Sequence, residues 1–304
     1  MHDVEKQLKQ FLQQSAYMTQ GAIVTDLDGT VLQEEEGKAR IAVPVEAALN
    51  ELYGLGRPVI LNTLRFPLNV IRTLGQEWHR LAREQPIPLV SMNGSQIGFV
   101  KASDHKGLVF EELAAFPLAP SEIEEILAGV DGLLAGGIRD LLVFSYPRDW
   151  RIGEVIWTPV AEAVPFIRGK YKSASSVIAV ELGKLRQRLL DDEICMMFLL
   201  INIAEDKLMA YQHTKPSSFF THANIDKLSG ALQLTMRLGV DLAHSVGAGD
   251  TEMDRFLKGV GLAVQVGEGA LEYHGLLQTI RVKHVLELGE ILFRLAELQK
   301  TLMK

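Results

Sequence analysis

Short apolar runs that read as buried strands alternate with helix-period segments at both ends of the chain. This alternation limits the fold more than any other feature, because it calls for a parallel sheet with helices on its faces. Ala22-Ile23-Val24-Thr25 is a β-branched run that ends at Asp26. Val43-Pro44 opens a helical pattern through Ala48, Leu49 and Leu52, which Gly54 and Gly56 stop. Pro58-Val59-Ile60-Leu61 reads as a second strand. Pro67 then starts a helix with Val70, Ile71, Leu74 and Trp78 on one face, and Pro88-Leu89-Val90-Ser91 reads as a third strand. Late in the chain a helix is expected over about Ile225 to Leu238, strands over Leu242 to Val246 and Leu262 to Val266, and a final helix over Val285 to Leu302. The stripe Val285, Leu288, Leu292, Leu295 and Leu298 fits docking onto the core or a dimer seam, so monomer and homodimer both stay open.

The middle breaks this rhythm. Hairpin-like strands (Ile97 to Val100, Leu108 to Phe110), a helix from Ser121 to Leu127, a strand near Leu141 to Phe144 and a helix from Leu182 to about Leu190 suggest an α+β insertion. The expected division is a first core part over 1–95, including an N-terminal helix from Val4 to Gln14, an insertion over 96–214, and a second core part over 215–304. With 31 Lys and Arg against 38 Asp and Glu the net charge is -7, which argues against nucleic acid as a partner. Cys195 is the single cysteine, so no intrachain disulfide can form, which fits a reducing compartment; its apolar setting suggests a core thiol. The first residues lack the apolar region of a signal peptide, and the run Ile194 to Ile201 is far short of the ~18 residues of a membrane span. A cytoplasmic protein with no membrane partner is the expectation.

Asp26-Leu27-Asp28-Gly29-Thr30 directly follows the first strand. Ligands of open α/β sheets bind beyond the carboxyl ends of strands. Two carboxylates one residue apart in that place can divide two tasks, one attacking as a nucleophile and the other moving a proton. Gly29 lets the backbone turn sharply between them and the next segment.

This stretch resembles the first motif of the haloacid dehalogenase (HAD) superfamily. The resemblance implies that Asp26 is the nucleophile of an aspartyl-phosphate mechanism and Asp28 its general acid and base. It also implies a Mg²⁺ held by the Asp26 side chain and the Asp28 carbonyl. Thr63, in Leu61-Asn62-Thr63-Leu64-Arg65, matches the second motif, whose hydroxyl donates to the phosphoryl group. The backbone N–H of Leu64 offers a second donor, although the subgroup usually has a small residue there, and Arg65 is placed to contact substrate. Lys227, at the start of a helix, matches the third motif. Gly249-Asp250 with Asp254 four residues on matches the fourth, with Asp250 completing the metal's oxygen shell and Asp254 binding or orienting it. Asn93-Gly94-Ser95 is similar to a turn of the Cof-type subfamily, which makes Asn93 a substrate-contact candidate. The insertion lies between the second and third motifs, the place of that family's large α/β cap. The implied architecture is a HAD-like Rossmannoid core with an inserted α+β cap, closing over a small phosphorylated metabolite such as a sugar phosphate.

Residues 138–190 hold nine Lys and Arg against five acids. That excess suits either a cap face that attracts an anionic sugar phosphate or a solvated surface. Tyr146, Trp150 and Trp157 lie among these charges, suited to stacking on a sugar or to core packing. Besides a phosphomonoesterase, the same motifs would serve a phosphomutase, or a non-catalytic binding module that kept the fold.

Overall fold

The computed structural model describes residues 2–35, 38–104, 107–201 and 219–303. The chain opens with α1 (His2–Gln14) and a single turn, α2 (Tyr17–Gln20), then enters β1 (Ile23–Thr25). A small hairpin of β2 (Leu32–Glu35) and β3 (Lys38–Ile41) precedes α3 (Val43–Gly54) and β4 (Val59–Asn62). A helix in three pieces follows: α4 (Pro67–Val70), a π turn (Ile71–Gly75) and α5 (Gln76–Leu81). Then come β5 (Ile87–Ser91), β6 (Gln96–Ala102) and β7 (Leu108–Ala115). The middle holds α6 (Pro120–Ala135), β8 (Leu141–Pro147), β9 (Val155–Trp157), α7 (Val164–Lys170), β10 (Ser176–Ile178), α8 (Leu182–Asp191) and β11 (Ile194–Ile201). The last elements are β12 (Phe219–Phe220), α9 (Lys227–Leu238), β13 (Val246–Gly249), β14 (Leu262–Val266), β15 (Gln278–Val282) and α10 (Val285–Leu302).

The large sheet runs β15-β14-β13-β1-β4-β5-β6-β7, parallel from β15 through β5 and antiparallel at β6 and β7. Its parallel strands read as continuous apolar runs because helices cover both faces. One face packs on α1, α3, α5 and α10 through Leu8, Val45, Leu49, Trp78, Leu288 and Leu292. The other packs on α9 and the turn at Arg255–Gly259 through Val24, Ile60, Val90, Ala231, Leu234 and Phe256. The stripe on α10 is therefore core packing, with Leu288, Leu292 and Leu295 essentially inaccessible to water. From β1 the chain builds outward through β4 and β5, and later returns to the other side of β1 through β13. The strand order reverses there, at the carboxyl ends of β1 and β13, the place where ligands of open α/β sheets bind.

Two features depart from the sequence expectation. The hairpin assigned to the insertion, β6 and β7, extends the large sheet instead, covering the edge that β5 would leave open. Alternation marks a hairpin but not the sheet it joins. The strand expected at Leu242 to Val246 is a 3₁₀ turn (Leu242–His244) followed by β13, because Asp241 caps the turn by accepting from the Ala243 N–H at 2.8 Å.

The second sheet, β10-β9-β8-β11-β12, is the cap sheet. Its two-residue strand β12 lies beyond the expected end of the insertion at 214, a position outside the described residues; two residues are too few for a periodic signal. Odd positions of β8 pack under α6 and α8, together with Trp157. Even positions, Leu142, Phe144 and Tyr146, join Met196 and Phe198 on the opposite face. That face meets Phe66 and Met92 of the core. Cys195 is buried there as a free thiol, and burial pushes it up to about 12.

Candidate active site

Asp26 is the first residue beyond β1, and its N–H still donates to the Ala248 carbonyl of β13 at 3.0 Å. The side chain is thus aimed by the sheet at the reversal of strand order. Three residues on, Gly29 takes φ +76, and a Cβ there would fall 2.1 Å from Asp250 Oδ2. Only glycine lets the first-motif turn approach the Asp250 loop this closely. Thr30 closes the contact by donating from its hydroxyl to Asp250 Oδ1 at 3.0 Å.

Lys227 is the first residue of α9, behind the N-cap Asp226, whose carboxylate accepts from the Ser229 N–H at 2.8 Å. Its side chain is 1% exposed, and its Nζ lies 3.0 Å from Asp26 Oδ1 and 2.7 Å from Asp254 Oδ1. Burial works against this ammonium, but Asp254 and Asp26 outweigh it and hold its pKa above the ordinary value. The other oxygen of Asp254 accepts from the Asp250 N–H at 2.9 Å and the Thr251 N–H at 3.0 Å. With one oxygen on the ammonium and the other on two backbone amides, Asp254 orients Lys227 and shapes the Asp250 loop.

Asp28 is held by Arg65, whose Nε donates to Oδ2 at 2.7 Å while Nη2 donates to Oδ1. The third guanidinium nitrogen donates to Asn69 Oδ1 and Thr73 Oγ1, both at 3.2 Å, across the start of the π turn. Thr63 is fully buried, and its hydroxyl oxygen accepts from the Arg65 N–H at 3.1 Å. Leu64 leans into the apolar cluster shared with the cap, which gives the departure from a small residue a packing role. Asn93 has φ 57 between Met92 at φ 48 and Gly94 at φ +94, and its N–H donates to the Thr63 carbonyl at 3.3 Å. A Cβ on Gly94 would meet the Asp226 carbonyl oxygen at 2.2 Å, so this left-handed turn lies directly against the start of α9. Five separated segments therefore converge: 26–30, 63–65, 92–94, 226–227 and 250–254. Sequence reasoning missed Asn62, Asn69, Thr73 and Thr251. Of these, Asn62 carried a signal, a polar residue closing the apolar run Val59-Ile60-Leu61.

Oxygens of Asp26, Asp250 and Asp254 lie within 4.8 Å of one another, a donor set that fits a hard divalent cation. Burial raises the Asp26 carboxyl well above its usual range, and Asp254, Asp250 and Asp28 add to the rise while Lys227 opposes it. Asp250 is pushed up to about 7, by burial first and by Asp254 next, against the Thr30 hydroxyl and Lys227. Carboxylates crowded this far from water need a counter-charge beyond one ammonium.

On the cap side four of the nine basic residues between 138 and 190 are held in ion pairs among the described residues. Arg148 donates from Nη2 to Glu112 of β7 at 2.7 Å and from Nη1 to Glu193 at 2.9 Å, clasping the cap to the large sheet. Arg186 pairs with Glu124, Arg188 with Asp192 and Arg151 with Asp149. Trp157 is buried beneath α6 and α8, facing away from the core, and Trp150 packs on the core cluster. Tyr146 lies on the cap face that meets the core, its ring tilted at 43° to Phe66 with centroids 5.4 Å apart and its hydroxyl donating to Glu154 at 2.8 Å.

No protein-family profile and no curated protein matches the sequence. Solved structures do match. The HAD subclass IIB sugar phosphatase BT4131 is 14% identical with a TM-score of 0.62, covering 93% of this chain and 99% of its own. The HAD-superfamily phosphatase BT1666 from Bacteroides thetaiotaomicron is 15% identical with a TM-score of 0.59, covering 95% and 96%. A haloacid dehalogenase-like hydrolase from the same organism is 16% identical with a TM-score of 0.58, covering 93% and 100%. The chain has the fold of these proteins, a HAD-like Rossmannoid core with a large α/β cap.

Proposed function

We propose that the chain is a Mg²⁺-dependent phosphomonoesterase that hydrolyses a small phosphorylated metabolite, a sugar phosphate foremost, through an aspartyl-phosphate intermediate. The observation that carries this reading is the convergence of Asp26, Lys227, Asp250 and Asp254 where the strand order reverses. Asp26 attacks phosphorus, and the bond to the leaving oxygen breaks. Asp28, released from Arg65, protonates that oxygen and then takes a proton from the water that attacks the aspartyl phosphate. Lys227 and the Thr63 hydroxyl donate to the phosphoryl oxygens, and Arg65, once it leaves Asp28, is free to bind the substrate. Asp26, Asp250 and the Asp28 carbonyl would hold Mg²⁺, with Asp254 behind them as a positioning residue. When bound, the ion supplies positive charge that offsets the repulsion between Asp26 and the phosphate. The apolar cap face excludes water from the site. The buried, unpaired Cys195 favours a reducing compartment, the cytoplasm.

A phosphate-release screen across sugar phosphates with Mg²⁺, with Asp26→Asn as control, tests the reading. Mg²⁺-dependent release that disappears in the variant is the expected result. Isomer formation in place of release would make the protein a phosphomutase, and silence across the panel would leave only a binding module.

A further inference from the structure

We propose that Asn62 is a positioning residue for Lys227, an inference that rests on the phosphatase reading above. Along β4, Leu61 faces the cluster with α3 and α5, while Ile60 faces the cluster with α9. The alternation of a strand puts Asn62 on the α9 side. β1 and β4 pair Thr25 with Leu61, so Asp26 and Asn62 stand side by side one position further along adjacent strands. Both side chains reach the same residue. Asp26 holds the Lys227 ammonium, and Asn62 Nδ2 donates to the Lys227 carbonyl at 2.9 Å, fully buried.

Lysine is a flexible side chain with a point charge at its end. Here the backbone end is tied to β4 and the ammonium end to Asp26 and Asp254. The distance from Lys227 to Thr63, the next residue after Asn62, is set by the same tie. Asn62 Oδ1 is buried with no hydrogen-bond partner among the described residues, an arrangement that costs stability. Turning the amide over would set that oxygen against the Lys227 carbonyl, so the orientation is fixed by chemistry. An apolar residue continuing Val59-Ile60-Leu61 would avoid the unpaired oxygen. What the amide adds is the bond that fixes Lys227.

The test compares the full chain with Asn62→Ala and Asn62→Ser, the serine being too short to reach the carbonyl. Turnover of p-nitrophenyl phosphate with Mg²⁺ is measured as kcat and KM, affinity for inorganic phosphate by calorimetric titration, and folding by thermal melting. A misplaced Lys227 lowers kcat by about 10- to 100-fold and weakens phosphate binding while the chain stays folded. A lower melting temperature with kcat and phosphate affinity unchanged would reduce Asn62 to a packing residue and overturn the proposal. If the alanine variant does not fold, the serine variant decides by the same criteria. An active wild type with unaltered variants overturns the role of Asn62 alone, whereas an inactive wild type overturns the phosphatase reading and this role together.

Discussion

At the carboxyl rim of the large sheet Asp26, Thr63, Lys227 and Asp254 are all buried. On the cap face opposite, the buried residues are Leu142, Phe144, Tyr146, Ile156, Met196 and Phe198, with Glu154 as the buried charged side chain beside them. Burying polar and charged groups opposes folding unless each finds a partner, and the rim supplies those partners through long-range contacts between β1, α9 and the loop after β13. The cap face needs no such arrangement, since apolar packing is favourable wherever it fits. The difference separates the two regions: the rim holds fixed charges, which the proposed function uses for phosphoryl transfer, and the cap presents an apolar face. Arg148, Arg186 and Arg188 are held in ion pairs instead, with Glu112 of β7, Glu124 of α6 and Asp192.

The largest expected effect is at the rim. Asp26→Asn removes the proposed nucleophile and should lower turnover by about 10³-fold or more. Lys227 keeps Asp254, and one carboxylate fewer crowds the site, so the melting temperature should hold or rise. A variant that folds and still turns over substrate would end the division of tasks at its centre. Lys227→Met should instead strike stability. It leaves Asp26 and Asp254 buried without their cation, a loss of about 3–5 kcal/mol readable by urea denaturation. A loss under ~1 kcal/mol would mean that water reaches the rim far more freely than its burial indicates.

Asp250 gives a smaller, pH-dependent effect. Its carboxyl is raised to about 7 from 3.8, so the folded chain without a cation binds a proton that the unfolded chain has released across that window. Stability of the cation-free protein should therefore fall as pH rises from about 4 to about 7. Adding Mg²⁺ should offset that fall, and apparent Mg²⁺ affinity should weaken on the order of tenfold per pH unit below the raised value. Melting curves with and without Mg²⁺ at pH 5 and pH 8 check both signs. Equal Mg²⁺ stabilisation at the two pH values would remove Asp250 from the ion's shell.

Much of the rim was legible in the sequence because its residues sit at strand ends and helix starts, which local pattern marks well. Asp26 follows a β-branched run, and Lys227 follows the capping residue Asp226. The Arg65 clasp on Asp28 was not legible, because it depends on how far a long side chain reaches across 37 residues of separation. Nor was the joining of β6 and β7 to the large sheet, since a hairpin's own pattern is the same in either sheet. The partners of the cap's arginines were hidden for the same reason: net charge over a window says nothing of Glu112, which lies outside it.

The smallest expected effect, and the finest test of the contrast, is Glu154→Gln in the cap. Glu154 accepts from the Tyr146 hydroxyl at 2.8 Å, and burial raises its carboxyl above the usual range. The amide keeps the shape and an acceptor for Tyr146 but cannot ionise. With a raised folded value, wild-type stability is fully present below the unfolded value of 4.5 and falls as pH rises through the folded one. The variant escapes that fall. It should match the wild type near pH 4 and exceed it by on the order of 1 kcal/mol at pH 8, with kcat little changed. If the variant is instead the less stable protein at pH 8, the Glu154 carboxylate is favoured in its ionised form. The cap face would then hold a working charge as the rim does, and the contrast between packing and fixed charge would fail on the cap side.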